Sequence, residues 1–208
     1  MTSIRTVTLE VDDLATADRF YSAWGLEKYV RLRASDAPTH GFRGFTLSVT
    51  MPQPADVDRL VDAAVRAGAS LVKPASKSFW GYGGSLRAPD GTVWTVASSA
   101  KKNTAPATGA IESFVLLLGV EDVKAAKRFY VDKGMTVQRS FGGKYAEFDA
   151  SPITVALNPR KLVAKNAGVD VEGGGSHRLV INGDLGSFTD PDGYVWENDG
   201  STTEGSAA

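Results

Sequence analysis

VDDLATADRFY occupies residues 11–21, and VEDVKAAKRFY occupies residues 120–130, 109 positions later. Both segments carry Val, Asp, Ala and a closing Arg-Phe-Tyr at the same places. Each follows a strand-like run, VTLEV (7–11) and LLLGV (116–120), and each holds an Asp (Asp13, Asp122) where a helix should begin. Leu14, Ala17, Phe20, Tyr21 and Trp24 then recur at helical spacing, as do Val123, Ala126, Phe129 and Tyr130. The spacing predicts helices over 14–24 and 123–133. A second pair of segments follows, APDGTVWT (88–95) and DPDGYVWE (190–197). Pro before Asp-Gly marks a tight turn between strands, so either copy alone indicates a hairpin. Together they predict two related halves, each opening on strand and helix and closing on this hairpin.

Between the halves lies KKNTAPATGA (101–110), small and polar, which reads as a linker. The expected organisation is a first domain over 1–99, a linker over 100–110, a second domain over 111–200 and a flexible tail over 201–208. The interiors differ. The first half has a strand FTLSV (45–49), then a helix with Val57, Leu60, Val61, Ala64 and Val65 on one face and Gly68 as its stop. A strand SLVKP (70–74) follows. The second half has strand-like runs KYAEFDA (144–150), ITVALN (153–158) and HRLVI (177–181), with no such helix after the last. VEGGGSH (171–177) reads as a flexible connection. GYGG (81–84) follows a strand without opening a helix, so the context of a phosphate loop is missing.

Of the 208 residues 42% are apolar, enough for a proper core, and 23 basic against 24 acidic residues leave a net charge of −1. That balance excludes the basic field of a nucleic-acid binder. The absence of cysteine excludes disulfides, thiolate nucleophiles and Cys-type zinc sites. MTSIRTVTLEV lacks the apolar stretch of roughly 7–15 residues of a signal peptide. No run approaches the roughly 20 apolar residues of a membrane span. The expectation is a cytoplasmic protein without membrane or nucleic-acid partners.

FWGYGGSLRAPDGTVW (79–94) and LEVDDLATADRFY (9–21) resemble the closing hairpin and the opening strand and helix of the vicinal oxygen chelate superfamily. Glyoxalase I, the fosfomycin and bleomycin resistance proteins and the extradiol dioxygenases belong to it. The resemblance implies an α+β fold. Tandem βαβββ units would form two cup-shaped mixed sheets, with helices on the outer faces. Four units would span about 4–40, 43–99, 111–158 and 174–200, the first and last abbreviated. Units one and four would share one cup, units two and three the other. The chain would be a monomer with an internal pseudo-dimer, a homodimer being possible.

In that family a divalent metal is held by His, Gln or Glu on the concave faces, from a unit's first strand and the end of its closing strand. Strand alternation puts Val7, Leu9 and Val11 under the helix and Thr6, Thr8 and Glu10 in the cup. It likewise packs Leu116, Leu118 and Val120, leaving Val115 and Leu117 in the other cup. On the family positions, one cup would hold Thr6, His177 and Glu197, the other Gly44, Thr95, Val115 and Ala156. The second set has no metal-ligating chemistry. In the first, His177 and Glu197 supply two ligands where a catalytic metal site usually takes three from the protein.

Aromatic residues gather near the two hairpins: Phe42, Phe79, Trp80 and Tyr82 in the first half, Tyr145, Phe148, Phe188 and Tyr194 in the second. Trp94 and Trp196 are expected in the core. Two functions follow from the resemblance. One is a cofactor-free protein of the bleomycin-resistance kind that binds a small, partly aromatic or apolar molecule. Thr6, Thr8, Phe42, Trp80, Tyr82, Thr95, Val115 and Tyr145 would be its contacts. The alternative is a glyoxalase-like lyase or isomerase dependent on Zn, Ni, Mn or Fe. His177 and Glu197 would be its metal ligands and catalytic pair, with Glu10 a more distant base.

Overall fold

Thr2–Val11 (β1) turns sequence alternation into a two-sided strand. Ile4, Val7, Leu9 and Val11 enter the main core, and Thr6, Thr8 and Glu10 face the opposite side. A register shift between Ile4 and Thr6 accommodates the change of parity. The computed structural model describes residues 2–79 and 81–199. Asp13 caps α1 (Leu14–Trp24) by accepting from the Thr16 amide, and Asp122 caps α3 (Val123–Asp132) by accepting from the Lys124 and Ala125 amides. The first-half helix, α2 (Pro54–Ala67), ends at Gly68 as its pattern predicts.

Among the described residues thirteen strands form one mixed, open sheet with two lobes. The first lobe holds β1, β2 (Val30–Ala34), β13 (Leu179–Gly183), β14 (Phe188–Thr189) and β15 (Val195–Asn198). The second runs through β9 (Val137–Ser140), β10 (Ala146–Phe148), β11 (Ala150–Pro159), β8 (Ser113–Val120), β4 (Phe45–Thr50), β7 (Val93–Ser98), β6 (Gly81–Arg87) and β5 (Ser70–Ser78). A short parallel seam joins the lobes, Thr2–Ile4 against Ala150–Pro152. Each lobe draws strands from both halves of the sequence: Thr8 pairs with Val180, and Thr46 with Leu117.

The recurring phrases meet in the core. Tyr21 Oη donates to Asp90 Oδ1 (3.2 Å) and accepts from Trp94 Nε1 (3.4 Å). Tyr130 Oη donates to Asp190 Oδ2 (2.5 Å) and accepts from Trp196 Nε1 (3.2 Å). The helix motif thus supplies a buried phenol, and the hairpin supplies the carboxylate and indole that satisfy it. The first half uses the Asp after the proline, the second the Asp before it. Burial, reinforced by the carboxylate, holds both phenols well above their ordinary range.

Three features depart from the sequence reading. An unforeseen helix, α4 (Arg160–Ala167), follows Pro159. It lies on the concave side of the second lobe rather than outside, where Val163, Ala164 and Ala167 pack with Phe42 and Val93 in a separate small core. VEGGGSH is not a free connection: Gly173–Gly175 (β12) pairs with Thr39–Gly41 (β3). HRLVI starts as a strand only at Leu179, because Arg178 has φ 50°. The 101–110 segment forms no helix or strand, but Gln53 binds the backbone of Thr104 and Ala105, and Asp56 accepts from the amides of Thr108 and Gly109. Among the described residues no helix is long and apolar enough to cross a membrane.

Candidate functional site

Register in the first lobe sets Thr6 beside Asn182 and Asn182 beside Glu197. Asn182 Oδ1 accepts from Thr8 Oγ1 (2.7 Å) and Thr6 Oγ1 (3.4 Å). β2 runs along β1 with Arg31 opposite Thr8 and Arg33 opposite Glu10, which sends both guanidinium groups to the same face. Arg33 grips both oxygens of Glu197, at 2.9 and 2.7 Å, and lies 3.6 Å from Glu10; Arg31 pairs with Asp199 at 2.9 Å. Arg33 holds the Glu197 carboxyl below its ordinary value. The depression above these pairs, about 380 Å³, is polar.

His177 does not join Glu197. It lies five residues before Asn182, on the far side of the Arg178 turn that precedes β13. Nδ1 faces the Arg43 carbonyl (2.5 Å), Nε2 faces the Asp192 carbonyl (3.0 Å), and the ring stacks on buried Tyr194 with centroids 4.1 Å apart. Tyr194 Oη in turn reaches the carbonyls of Gly44 and Gly119, tying the two lobes together. His177 is therefore a bracket between segments, turned away from the floor of the cup.

The donor set does not fit a divalent metal. Glu197 has both oxygens engaged by an arginine, Arg31 lines the same depression, and Thr6 and Thr8 donate to Asn182. A cation there would meet two guanidinium groups, each already paired with a carboxylate, Arg33 with Glu197 and Arg31 with Asp199. Among the described residues no three His, Asp or Glu side chains converge on a point. At the equivalent place in the second lobe, Gly44 has φ +90°, and a Cβ would meet Arg160 Nη1 at 2.4 Å and Tyr194 Oη at 2.8 Å. Other side chains of the fold already fill that corner.

The second lobe instead contains a cavity of about 360 Å³. Thr46, Thr95, Ala97 and Leu117 form its floor, and Val163, Asn166 and Ala167 of α4 form one wall. Tyr82 and the β5 residues Lys73, Ser76 and Ser78 form the other. Thr95 shares a hydrogen bond with Ser48 (2.5 Å). Tyr82 Oη donates to Asp58 Oδ1 (2.7 Å), which pushes its phenol above the ordinary value, with some help from burial. A Cβ on Gly84 would meet the Lys73 carbonyl at 2.7 Å, so this glycine lets β5 close down on β6.

Two of the sequence-derived contacts, Tyr82 and Thr95, meet in this cavity. Val115 pairs with Ser48 on the same face of the sheet. Thr6 and Thr8 belong to the other lobe. Phe42 is buried under α4, with the Arg160 guanidinium 5.2 Å from its ring centroid. Tyr145 donates to Glu147 and packs on Phe141 at a hairpin tip. Phe148 and Tyr194 are core residues, and Phe188 stacks on Trp196. Trp80 lies outside the described residues. Sequence reading missed Thr46, Lys73 and the whole α4 wall. An eight-residue helix is too short for a clear apolar period, and Pro159 before it with Gly168 after it was the available signal.

No family model and no curated protein matches the chain. Among solved structures, glyoxalase I from Zea mays superposes with a TM-score of 0.59 at 14% identity, covering 94% of this chain and 91% of that one. A candidate dioxygenase from Bacillus subtilis superposes with a TM-score of 0.53 at 11% identity, covering 91% and 71%. The chain has the vicinal oxygen chelate fold. Of the residues expected from the sequence, Thr6 and Glu197 lie in the first lobe and Gly44, Thr95, Val115 and Ala156 in the second, while His177 stacks on the Tyr194 ring.

Proposed function

We propose that this protein binds a small organic molecule in the second cup without the help of a metal ion. The observation that carries the reading is the contrast between the concave faces. Arg33 and Arg31 engage the Glu197 and Asp199 carboxylates of the first face, while the other face keeps a cavity floored by Thr46, Thr95 and Leu117. Its size lies within the range of about 300–1,000 Å³ usual for ligand pockets, and its walls mix aliphatic groups with a few placed hydroxyls.

A fragment screen read by amide NMR tests this. Binders should shift the signals of Thr46, Thr95, Leu117 and Asn166, compete with one another, and be lost in Leu117→Trp, which fills the cavity. Fragments that map to the first cup, or ignore Leu117→Trp, would overturn the reading. So would calorimetric binding of Zn²⁺, Ni²⁺ or Mn²⁺ that Glu197→Ala abolishes.

A further inference from the structure

The chemistry of the cavity also bears on the charge of its ligand, an inference that rests on the reading above. Lys73, at the open end, is the single charged residue among those lining it. Among the described residues it enters no ion pair: the five that form use arginines alone. Its aliphatic stem passes over the C-terminal end of α4, where a Cβ on Gly168 would meet Lys73 Cβ at 3.6 Å and Cδ at 3.8 Å. A lysine there would ordinarily be assigned to the exposed carbonyls of the helix end. Three of the last four carbonyls already have a donor. Ala164 and Lys165 accept from the amides of Gly168 and Val169, and Ala167 accepts from Ser85 Oγ. Asp58, the acid that reaches the cavity through Tyr82, already accepts that phenol. The Lys73 ammonium is left without an anionic partner.

The floor gives a second, independent sign. Thr46 is only 1% exposed, lines the cavity, and its hydroxyl makes no hydrogen bond to any described residue. A hydroxyl that opens on the cavity is free to bond whatever enters it. Leu117, Val163 and Ala167 offer apolar contact between these two polar ends.

We propose that the cavity selects a small carboxylic acid, its carboxylate at Lys73 and Asn166 and its apolar body against Leu117, Val163 and Ala167. No acidic side chain lines the cavity to repel it. A cationic ligand of the same shape would face Lys73 and be excluded.

Phenylacetate, phenylacetamide and phenethylamine share one ring and differ in charge, so titrating each against the protein isolates the effect. Phenylacetate should bind about tenfold more tightly than the amide, the step expected of one charge-assisted hydrogen bond, and the amine should bind most weakly. Lys73→Gln should bring the acid down to the affinity of the amide, and Lys73→Arg should restore most of the difference. Rising salt should weaken the acid alone. Leu117→Trp should abolish all three. Acid and amide binding equally, with both lost in Leu117→Trp, would overturn the carboxylate assignment and leave the pocket reading standing. Failure of all three to bind, or binding that survives Leu117→Trp, would overturn both.

Discussion

Glu197 and Thr95 hold the same place in the two copies of the closing hairpin, one residue after a buried tryptophan. In the first cup a carboxylate meets a guanidinium across partly exposed surface, with 38% of the Glu197 side chain and 44% of the Arg33 side chain open to solvent. In the second, a hydroxyl meets Ser48 on the floor of a cavity roofed by an apolar helix. Closing a concave sheet with ion pairs consumes its polar groups and leaves an open depression. Packing a helix over it buries apolar side chains and, beside the helix, leaves a deeper cavity walled by Val163, Asn166 and Ala167. Screened surface pairs contribute little to stability, whereas a buried helix face contributes through removed apolar area.

The largest test of this contrast is Val163→Asp, which sets a carboxylate in the small core under α4, where Val163 is 1% exposed. The expected loss is about 3 kcal/mol or more, read by thermal unfolding, with hydrogen-exchange protection lost first in residues 160–167. Loss spread evenly over both lobes would mean that α4 is not a separate closure.

Next come the paired tyrosines. Tyr130→Phe should cost about 2 kcal/mol, because it strips a donor from buried Asp190; Tyr21→Phe, whose bond to Asp90 is longer, should cost about 1 kcal/mol. The two should also differ in pH dependence. Burial raises the Asp190 carboxyl, and the Tyr130 hydrogen bond opposes that rise. A raised carboxyl stabilises the fold while protonated, below the ordinary carboxylate range, and that contribution is lost as pH rises through the raised value. Removing Tyr130 lifts Asp190 further, so the deficit of the variant should shrink on acidification. A deficit that is constant from pH 4 to 7 would contradict this.

The exchange of hairpin termini should be asymmetric. Thr95→Glu places an acid among Leu117, Val163 and Ala97, should cost about 1–2 kcal/mol in denaturant titration, and should prevent ligand binding. Glu197→Thr should cost about 0.5 kcal/mol, since its partner is half exposed. Equal costs would erase the distinction between the cups.

The smallest effect is Arg33→Gln, less than about 0.5 kcal/mol at neutral pH, and less still in high salt. Arg33 lowers the Glu197 carboxyl, so the pair stabilises above its ordinary value of 4.5 and fades as pH falls through the lowered one. The variant should lose that acid limb. If it also begins to bind Zn²⁺ tightly, Arg33 is what keeps the first cup metal-free.

Much of the fold was legible in local pattern. Asp13 and Asp122 marked the two helix starts, alternation placed Val7 and Leu9 inside with Thr6 and Thr8 opposite, and Trp94 and Trp196 are core residues as expected. The opposing faces of β8 were equally readable, because Val115 and Leu117 alternate with three packed leucine and valine neighbours. His177 was not. Its strand assignment failed at Arg178, whose positive φ turns the chain before the sheet begins. Phe42 was misplaced because nothing in its own neighbourhood announces that Val163 will cover it.

By itself, the sequence determined the repeat, the starts of α1 and α3, and the inward faces of the strands. These are local properties, set by periodicity of two or 3.6 residues, by caps and by residue chemistry. The tertiary structure alone decided that Arg33 meets Glu197 across 164 positions, that His177 brackets Arg43 and Asp192, and that α4 turns into the second cup. Such contacts depend on where distant segments are brought by packing, and an arginine opposite a glutamate carries no mark of its partner until the strands align.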